Sequence, residues 1–594
     1  MKRIFNLAAL LTMLLSIMFI QGCDDENFKP APTVTLDASS GAAVPGGSVT
    51  IDATVNSPNG GDLLLVYVAG AEVEAYDMAG AADFTQAFTY NVPSNAVIGS
   101  TIIISFQATD VQAYPSAIAN YTLTVGDPVI TLTGTLTTQT LDAAQQYLIK
   151  GQTFIPNGVT LTIPAGTVIK GDKASKAVLV VQPGGKLLAN GTANNPVVFT
   201  SAQAVGERDR GDWGGIVLLG NAWVNQTALP AIEGITPSQN YGNISGPTTN
   251  ADENNGTLQF VRIEYAGIEL TPNNETNSLT MGGVGSGTVI DHVQVSFGGD
   301  DGFEWFGGSV NAKYLISHST WDDDFDTDFG FGGNVQFALA VRNPFFADQS
   351  GSNAFESDNQ ANANDTPQGA AGYTRAVFSN VTVLGPRETN SRTISANYAN
   401  LMHIRRRSAL SIFNSFFSGF RLGLRVDDDA TYANLSGGGS KLAYNVLSVT
   451  GTAGTASSAS ASDGLFVTGI KFTAANDGTI DSGLPSGGNA VPIANYWAAN
   501  NNTSFNNVTA TTVLSEIGIN PDLYWAGKNS GNYPSNPPFA LTAGVAGPNN
   551  LNTGADFSDA KLGAFFTDTA YKGAFGAEDW TDGWAEFQPL NKAY

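Results

Sequence analysis

The sequence predicts an all-β protein: a sandwich-like N-terminal part followed by a long solenoid of stacked strands. Three observations carry that expectation. Long Ala/Leu/Glu/Lys stretches at the helical period are missing beyond residue 22, and glycine is plentiful at 67 of 594 residues. Short alternating or apolar runs also recur between Gly, Asn and Pro clusters along the chain. A length of 594 residues implies several domains unless the architecture is extended and repetitive.

The first element is a leader. The chain opens MKRIFNLAALLTMLLSIMFIQGC, in which Lys2 and Arg3 form a basic head, Leu7 to Ile20 an apolar run, and Gly22 precedes Cys23. That order reads as a secretory signal over residues 1–22, and the run is short for a membrane-spanning helix. Cys23 is the only cysteine, so a disulfide framework is excluded. A lone cysteine after Gly22 resembles a bacterial lipobox, with Ile20 and Gln21 where leucine and a small residue are usual. The resemblance implies lipidation of Cys23, whose several acyl chains would anchor the protein stably. Residues 23–32 then form a tether. Its acidic start, DDEN (24–27), resembles the surface-export tag of Bacteroidota lipoproteins, which implies an outer-membrane anchor facing the extracellular side.

Residues 33–126 carry the second element. TVTLDA, SVTIDATV, DLLLVYVAG, DFTQAFTYNV, STIIISFQATD and ANYTLTVGD alternate apolar and polar residues between turn clusters such as PGG and NSPNGGD. Six or seven strands at this spacing predict an immunoglobulin-like sandwich, although no Cys–Trp–Cys signature accompanies them. No chemistry is visible in it, and a stalk or spacer is the expected role.

Residues 127–594 carry the third. TLTI (160–163), VLVV (178–181), PVVF (196–199) and IVLL (216–219) read as successive rungs of a solenoid, with Gly and Asn at the corners. Looser rungs follow, among them LQFVRIEYAG, IDHVQVSFGG, AKYLISHST and VQFALAVRNP, with loop inserts such as 236–256 and 348–372 between them. The string AGTVIKG…VVQPGGKLLANGTANNPVVFTS followed by GDWGGIVLLGNA resembles the right-handed parallel β-helix proteins of the pectate-lyase-like fold. DDGFEWFGGSVNAKYL and the terminal GAFGAEDWTDGWAEFQPL belong to the same resemblance, which is nearest to secreted bacterial proteins of unsettled activity. Trp580 and Trp584 are expected to cap the open end of the helix.

Charge narrows the function. The balance of 27 basic against 52 acidic residues gives a net charge of −25, which excludes the basic footprint that nucleic-acid binding needs. Charged residues make up only 13% of the chain, yet five aspartates fall between Asp322 and Asp328. Aligning DGFEWF, DDFDTDF and NAFESDN sets Phe303, Phe325 and Phe355 in one column. Period 2 then turns the phenylalanines inward and Glu304, Asp326 and Glu356 outward, with Asp324, Asp328 and Asp358 sharing the outward parity. Two carboxylates about 4.8 Å apart repel by roughly 3.5 kcal/mol at an effective dielectric of about 20. Compensation is therefore expected, from a cation such as Ca2+ held by these six acids, from the arginines of HIRRRSALSIFNSFFSGFRLGLR, or from water.

Three functions share these residues. In the first, the lipoprotein binds an extracellular ligand, a glycan or other nutrient, with calcium assistance and as an accessory to an outer-membrane transporter. In the second it is a calcium-dependent polysaccharide lyase, for which the resemblance implies an arginine base, Arg405 or Arg407; a hydrolase would instead want a carboxyl acid of raised pKa. The third is a structural or adhesive surface protein. Trp305 and Trp321 are the candidates for stacking against a sugar, with core packing the competing role. His292, His318 and His403 are separate in sequence, and the first two are expected to be ordinary turn or surface residues.

Overall fold

The computed structural model describes residues 29–594 except 127, 272–273, 361–371, 389–391, 449–463, 469, 474–475, 481–490, 506–516, 525–532 and 546–549. The signal segment 1–22 and Cys23 lie outside the described residues. The chain divides into two compact units, Met1–Pro128 and Val129–Tyr594.

The first unit is a β-sandwich. Thr33–Leu36, Ser48–Asn56 and Asp83–Asn91 form one antiparallel sheet. The other has the order Ser40–Ala43, Ala119–Val125, Thr101–Asp110, Gly61–Val68, Ala71–Asp77. Alternation along Ser48–Asn56 and Thr101–Asp110 sends Ile51, Val55, Ile104 and Phe106 into the shared core and leaves the other parity exposed or half-buried.

The second unit is a parallel β-helix whose strands belong to one 26-stranded sheet system. Each coil has several faces, and this corrects the expected rung spacing. Of the runs at 160–163, 178–181, 196–199 and 216–219, only 178–181 and 216–219 are successive rungs of one face, and the other two lie on two further faces. Leu161 pairs with Leu187, Val180 with Val217, and Val198 with Arg262. The runs 18 residues apart fall two faces apart, because Val168–Gly171 lies between the first pair and Lys186–Asn190 between the second. The interior is a continuous column that includes Leu179, Phe199, Phe303, Phe325, Phe355 and Leu424.

One corner is held in a way that keeps the coils in register. Phe260, His292, Tyr314, Phe337, Asn380, Asn414 and Tyr444 all have left-handed backbone, with φ between 48° and 62°. Such a conformation is costly for a bulky residue. Stacking offsets it: ring centroids are 4.3 Å apart for Phe260–His292, 4.2 Å for His292–Tyr314 and 5.0 Å for Tyr314–Phe337.

The last segment does not cap an end. Trp580 and Trp584 lie along the flank, edge-on to the His292 ring at 6.2 and 5.5 Å. Trp584 and Phe587 belong to a second core with Ile316, Leu339, Val341 and Phe416, outward-facing residues of the coils. Outward apolar positions on successive coils, with Leu384 between Val341 and Phe416, need a cover, and this strap supplies it.

Candidate functional site

The aligned phenylalanines are register partners: Phe303 pairs with Phe325 and Phe325 with Phe355, and the same column continues to Met402 and Leu424. One position on, Glu304, Asp326, Glu356, His403 and Arg425 form the adjacent outward column. A cleft of about 320 Å³ opens over its acidic half, walled by the strands and by inserts that bring in Glu233, Glu275 and Ser350. Among the described residues that line it there are nine carboxylates and one cation, Arg405.

A second column sits in the turns just before these strands, and sequence reasoning missed it. The Asp301 amide donates to Asn277 Oδ1 (3.2 Å), the Asp323 amide to Asp301 Oδ1 (2.8 Å), the Asn353 amide to Asp323 Oδ1, and the Asn400 amide to Asn353 Oδ1 (3.0 Å). Four successive coils thus each use an Asx side chain to satisfy the amide of the next. Asparagine performs that task at 277 and 353. At 301 and 323 aspartate keeps the same acceptor but adds a buried charge, so the ladder's geometry alone does not call for it. The signal was present in GGDDG and WDDD, but only the register shows that these turns stack.

The two columns produce three overlapping carboxylate triads: Asp300/Asp301/Asp322, Asp301/Glu304/Asp326 and Asp323/Asp326/Glu356. Within each, one oxygen per residue lies within 4.8 Å of the others. Burial, then the neighbouring carboxylates, pushes Asp300, Asp301, Glu304, Asp323 and Asp326 well above the usual carboxylate range. Asp322 is pushed up to about 6 by burial and then by Glu356 and Asp348. Asp326 Oδ1 and Asp322 Oδ1 are sealed from solvent and have no hydrogen-bond partner among the described residues. An all-oxygen, all-carboxylate donor set fits a hard divalent cation such as calcium and does not fit a soft metal.

Several expected ligands are elsewhere. Asp324 precedes the strand Phe325–Asp328 and is fully buried, bonded by Ser317 Oγ (2.6 Å) and Thr320 Oγ1 (3.1 Å) and paired with buried Arg342 (3.2 Å). Asp328 accepts the Phe329 amide (2.6 Å) and belongs to none of the triads. Asp358 is held by Arg405 Nε (2.6 Å) and Arg406 Nη1 (2.7 Å). Glu356 stands in a triad yet also meets Arg405 and, at 3.4 Å, His403. Although burial alone would raise it, these partners hold the Glu356 carboxyl down, to about 2. Compensation is therefore divided: arginines neutralise the Glu356–Asp358 end, while among the described residues Asp300, Asp301, Glu304, Asp323 and Asp326 make no ion pair.

The same pairing corrects the catalytic assignment. Burial opposes the charge on Arg405, but Glu356 and Asp358 outweigh it and raise its pKa well above the ordinary arginine value, which works against proton abstraction by this side chain. Arg407 is absent from the cleft lining, and its backbone bonds to Thr431 and Asn434. Trp305 is fully buried, stacked on Phe303 at 5.9 Å and Phe331 at 5.3 Å, and cannot meet a ligand. Trp321 lines an outer extension of the cleft; its indole N–H donates to Asp348 (2.8 Å), and Arg210 stacks 3.7 Å above its ring. His318 is buried among Phe297, Tyr533 and Phe587, not at a surface, and burial lowers its pKa to about 3.

Residues 133–488 match the family described as a pectate-lyase like beta helix domain. The protein belongs to that family. No curated protein matches. Among solved structures, the fibronectin(III)-like modules of Clostridium thermocellum CbhA are 24% identical, with 16% of this chain and 46% of that one covered and a TM-score of 0.13. This chain thus spans about half (46%) of that structure's length. The PKD domain of an M14-like peptidase from a Thermoplasmatales archaeon is 17% identical over 16% of this chain and 97% of that one, again with a TM-score of 0.13. Neither likeness bears on fold or function.

Proposed function

We propose that this β-helix protein is a surface lipoprotein that binds an extracellular ligand, a glycan or other nutrient, through divalent cations held in the acidic cleft. The observation that carries the reading is the pair of aspartates, Asp301 and Asp323, in a ladder whose other members at 277 and 353 are asparagines. Three carboxylate oxygens per triad leave open several of the 6–8 positions calcium fills, for carbonyls, water and ligand hydroxyls or carboxylates. The cation also reverses the local sign of charge, which lets a net-negative protein take neutral or acidic sugars. Cys23 and the acidic tether supply the anchor in this reading, on the outer face of the outer membrane and beside a transporter that takes up the ligand. Among the described residues no helix is long and apolar enough to cross a membrane.

The test is a calcium titration of the chelator-treated protein by calorimetry, followed by a glycan array with and without calcium. Calcium uptake that Asp326→Asn removes, together with calcium-dependent glycan signals and no product release, supports the reading. Absence of calcium binding removes it.

A further inference from the structure

The two aspartates of the Asx ladder occupy the same place in a motif that successive coils repeat. Asp301 lies three residues before Glu304, and Asp323 three before Asp326. Glu304 pairs in register with Asp326, and Asp326 with Glu356. Each of the triads Asp301/Glu304/Asp326 and Asp323/Asp326/Glu356 is therefore a ladder aspartate, its own strand acid and the strand acid of the next coil. The second triad is the first moved along by one coil. We propose that the cleft holds two divalent cations, one in each of these triads, bridged by Asp326. This deepens the cation reading above and rests on it.

The motif stops on both sides. One coil earlier its members are Asn277 and Thr280, and Thr280 is the register partner of Glu304. One coil later they are Asn353 and Glu356, and the register partner of Glu356 is His403. Both asparagines serve the ladder as well as aspartate does. Aspartate stands in it only at 301 and 323, the two positions where both strand partners are acids. Two charged ladder positions thus give two sites.

Asp301 and Asp326 both line the cleft. Asp301 is 8% exposed; its Oδ1 accepts the Asp323 amide, and its Oδ2 has no partner among the described residues. Asp326 has no hydrogen bond or ion pair at either oxygen among the described residues, as suits a carboxylate that turns one oxygen to each cation. A carboxylate offers about four lone-pair sites, so the oxygens of Asp301 and Asp323 that accept amides keep room for a cation. Oxygens about 2.3–2.6 Å from one calcium lie within about 5 Å of each other, which the 4.8 Å limit inside each triad satisfies. Coils about 4.8 Å apart put the cations about that far from one another, close enough to need a negative group between them. The sites are unequal, because Arg405 and His403 already share Glu356 and oppose the second cation. The triad Asp300/Asp301/Asp322 lies outside the repeat: it draws on Asp301, already engaged, and its other members also line the outer cleft.

Calcium is titrated into the chelator-treated full chain by calorimetry, and terbium and europium, which stand in for calcium, are then loaded together. Two calcium ions per chain are expected, the second at least tenfold weaker. Asp323→Asn should leave only the tight site, Glu304→Gln only the weak one, and Asp326→Asn neither. In the parent, europium should shorten the terbium emission lifetime, because energy passes between ions one coil apart; in Asp323→Asn and Glu304→Gln it should not. The lifetime measurement on the parent needs no variant, so a misfolded mutant cannot decide the outcome. One ion per chain, three ions, or a terbium lifetime unmoved by europium overturns the pair and leaves the cation reading standing. No calcium uptake at all overturns both.

Discussion

Asp323→Asn is the sharpest perturbation the structure offers, because it separates ladder geometry from charge. The substituted side chain keeps the Oδ1 that accepts the Asn353 amide, so the coil-to-coil bond survives. What disappears is one negative charge, with an oxygen within 4.8 Å of Asp326 and Glu356, together with the Oδ2 that accepts the Asn353 side-chain amide (3.3 Å). Each such pair repels by roughly 3.5 kcal/mol at an effective dielectric of about 20 and by roughly 0.9 kcal/mol in water. Glu356 is already neutralised by Arg405, so Asp326 is the pair that counts. Because burial already favours protonation, part of that repulsion is relieved in the native state, and a net gain of about 1–3 kcal/mol remains. In chelator, urea denaturation should therefore show the variant more stable than the parent by about 1–3 kcal/mol. In calcium the order should reverse, since the parent gains binding energy that the variant lacks. A variant less stable than the parent in chelator, or one with an unchanged calcium isotherm, would refute the argument.

Other outcomes follow from the same geometry. Without cation, stability should rise as pH falls from 7 toward 5: Asp322 has a folded pKa raised to about 6, so the native state takes up protons there before the unfolded chain does, and urea midpoints across that range check it. Glu356, held near 2, has the opposite sign, and its contribution is lost only as pH falls through that value. Arg405→Ala should cost roughly 3–5 kcal/mol, because it strands the buried Glu356 and Asp358 carboxylates, and the loss should appear in stability measurements rather than in any pH–rate profile. Trp305→Ala should cost roughly 3–5 kcal/mol of stability, whereas Trp321→Ala, at the cleft rim, should change stability little and ligand retention in the glycan assay more.

Legibility from sequence tracked periodicity. Phe303, Phe325 and Phe355 could be aligned because each begins a strand whose alternation repeats, and Glu304, Asp326 and Glu356 then follow by parity. Trp305 is legible by the same rule, standing two residues from Phe303 and hence inward, which decides between sugar stacking and core packing in favour of the core. Asp324 misled because parity was extended past the start of the strand at Phe325 into a turn where it does not hold. Asp301 and Asp323 were hidden for a related reason: turns have no period, and an Asx ladder shows itself only after neighbouring coils have been set in register. The spacing near 18 residues was real, yet it counted faces of a coil, not coils.

The return of the terminal strap alters how this molecule can come apart. Tyr594 reaches Glu264 across 330 residues of sequence with a 2.5 Å hydrogen bond, and its carbonyl receives Lys170 across 424. A solenoid without such a clasp frays coil by coil, because each repeat answers only to its neighbours. Here residues near 594 grip coils near 170 and 264, so those turns gain these contacts only after several hundred further residues have been made. The same clasp makes opening the molecule closer to an all-or-none event than its repetitive shape suggests.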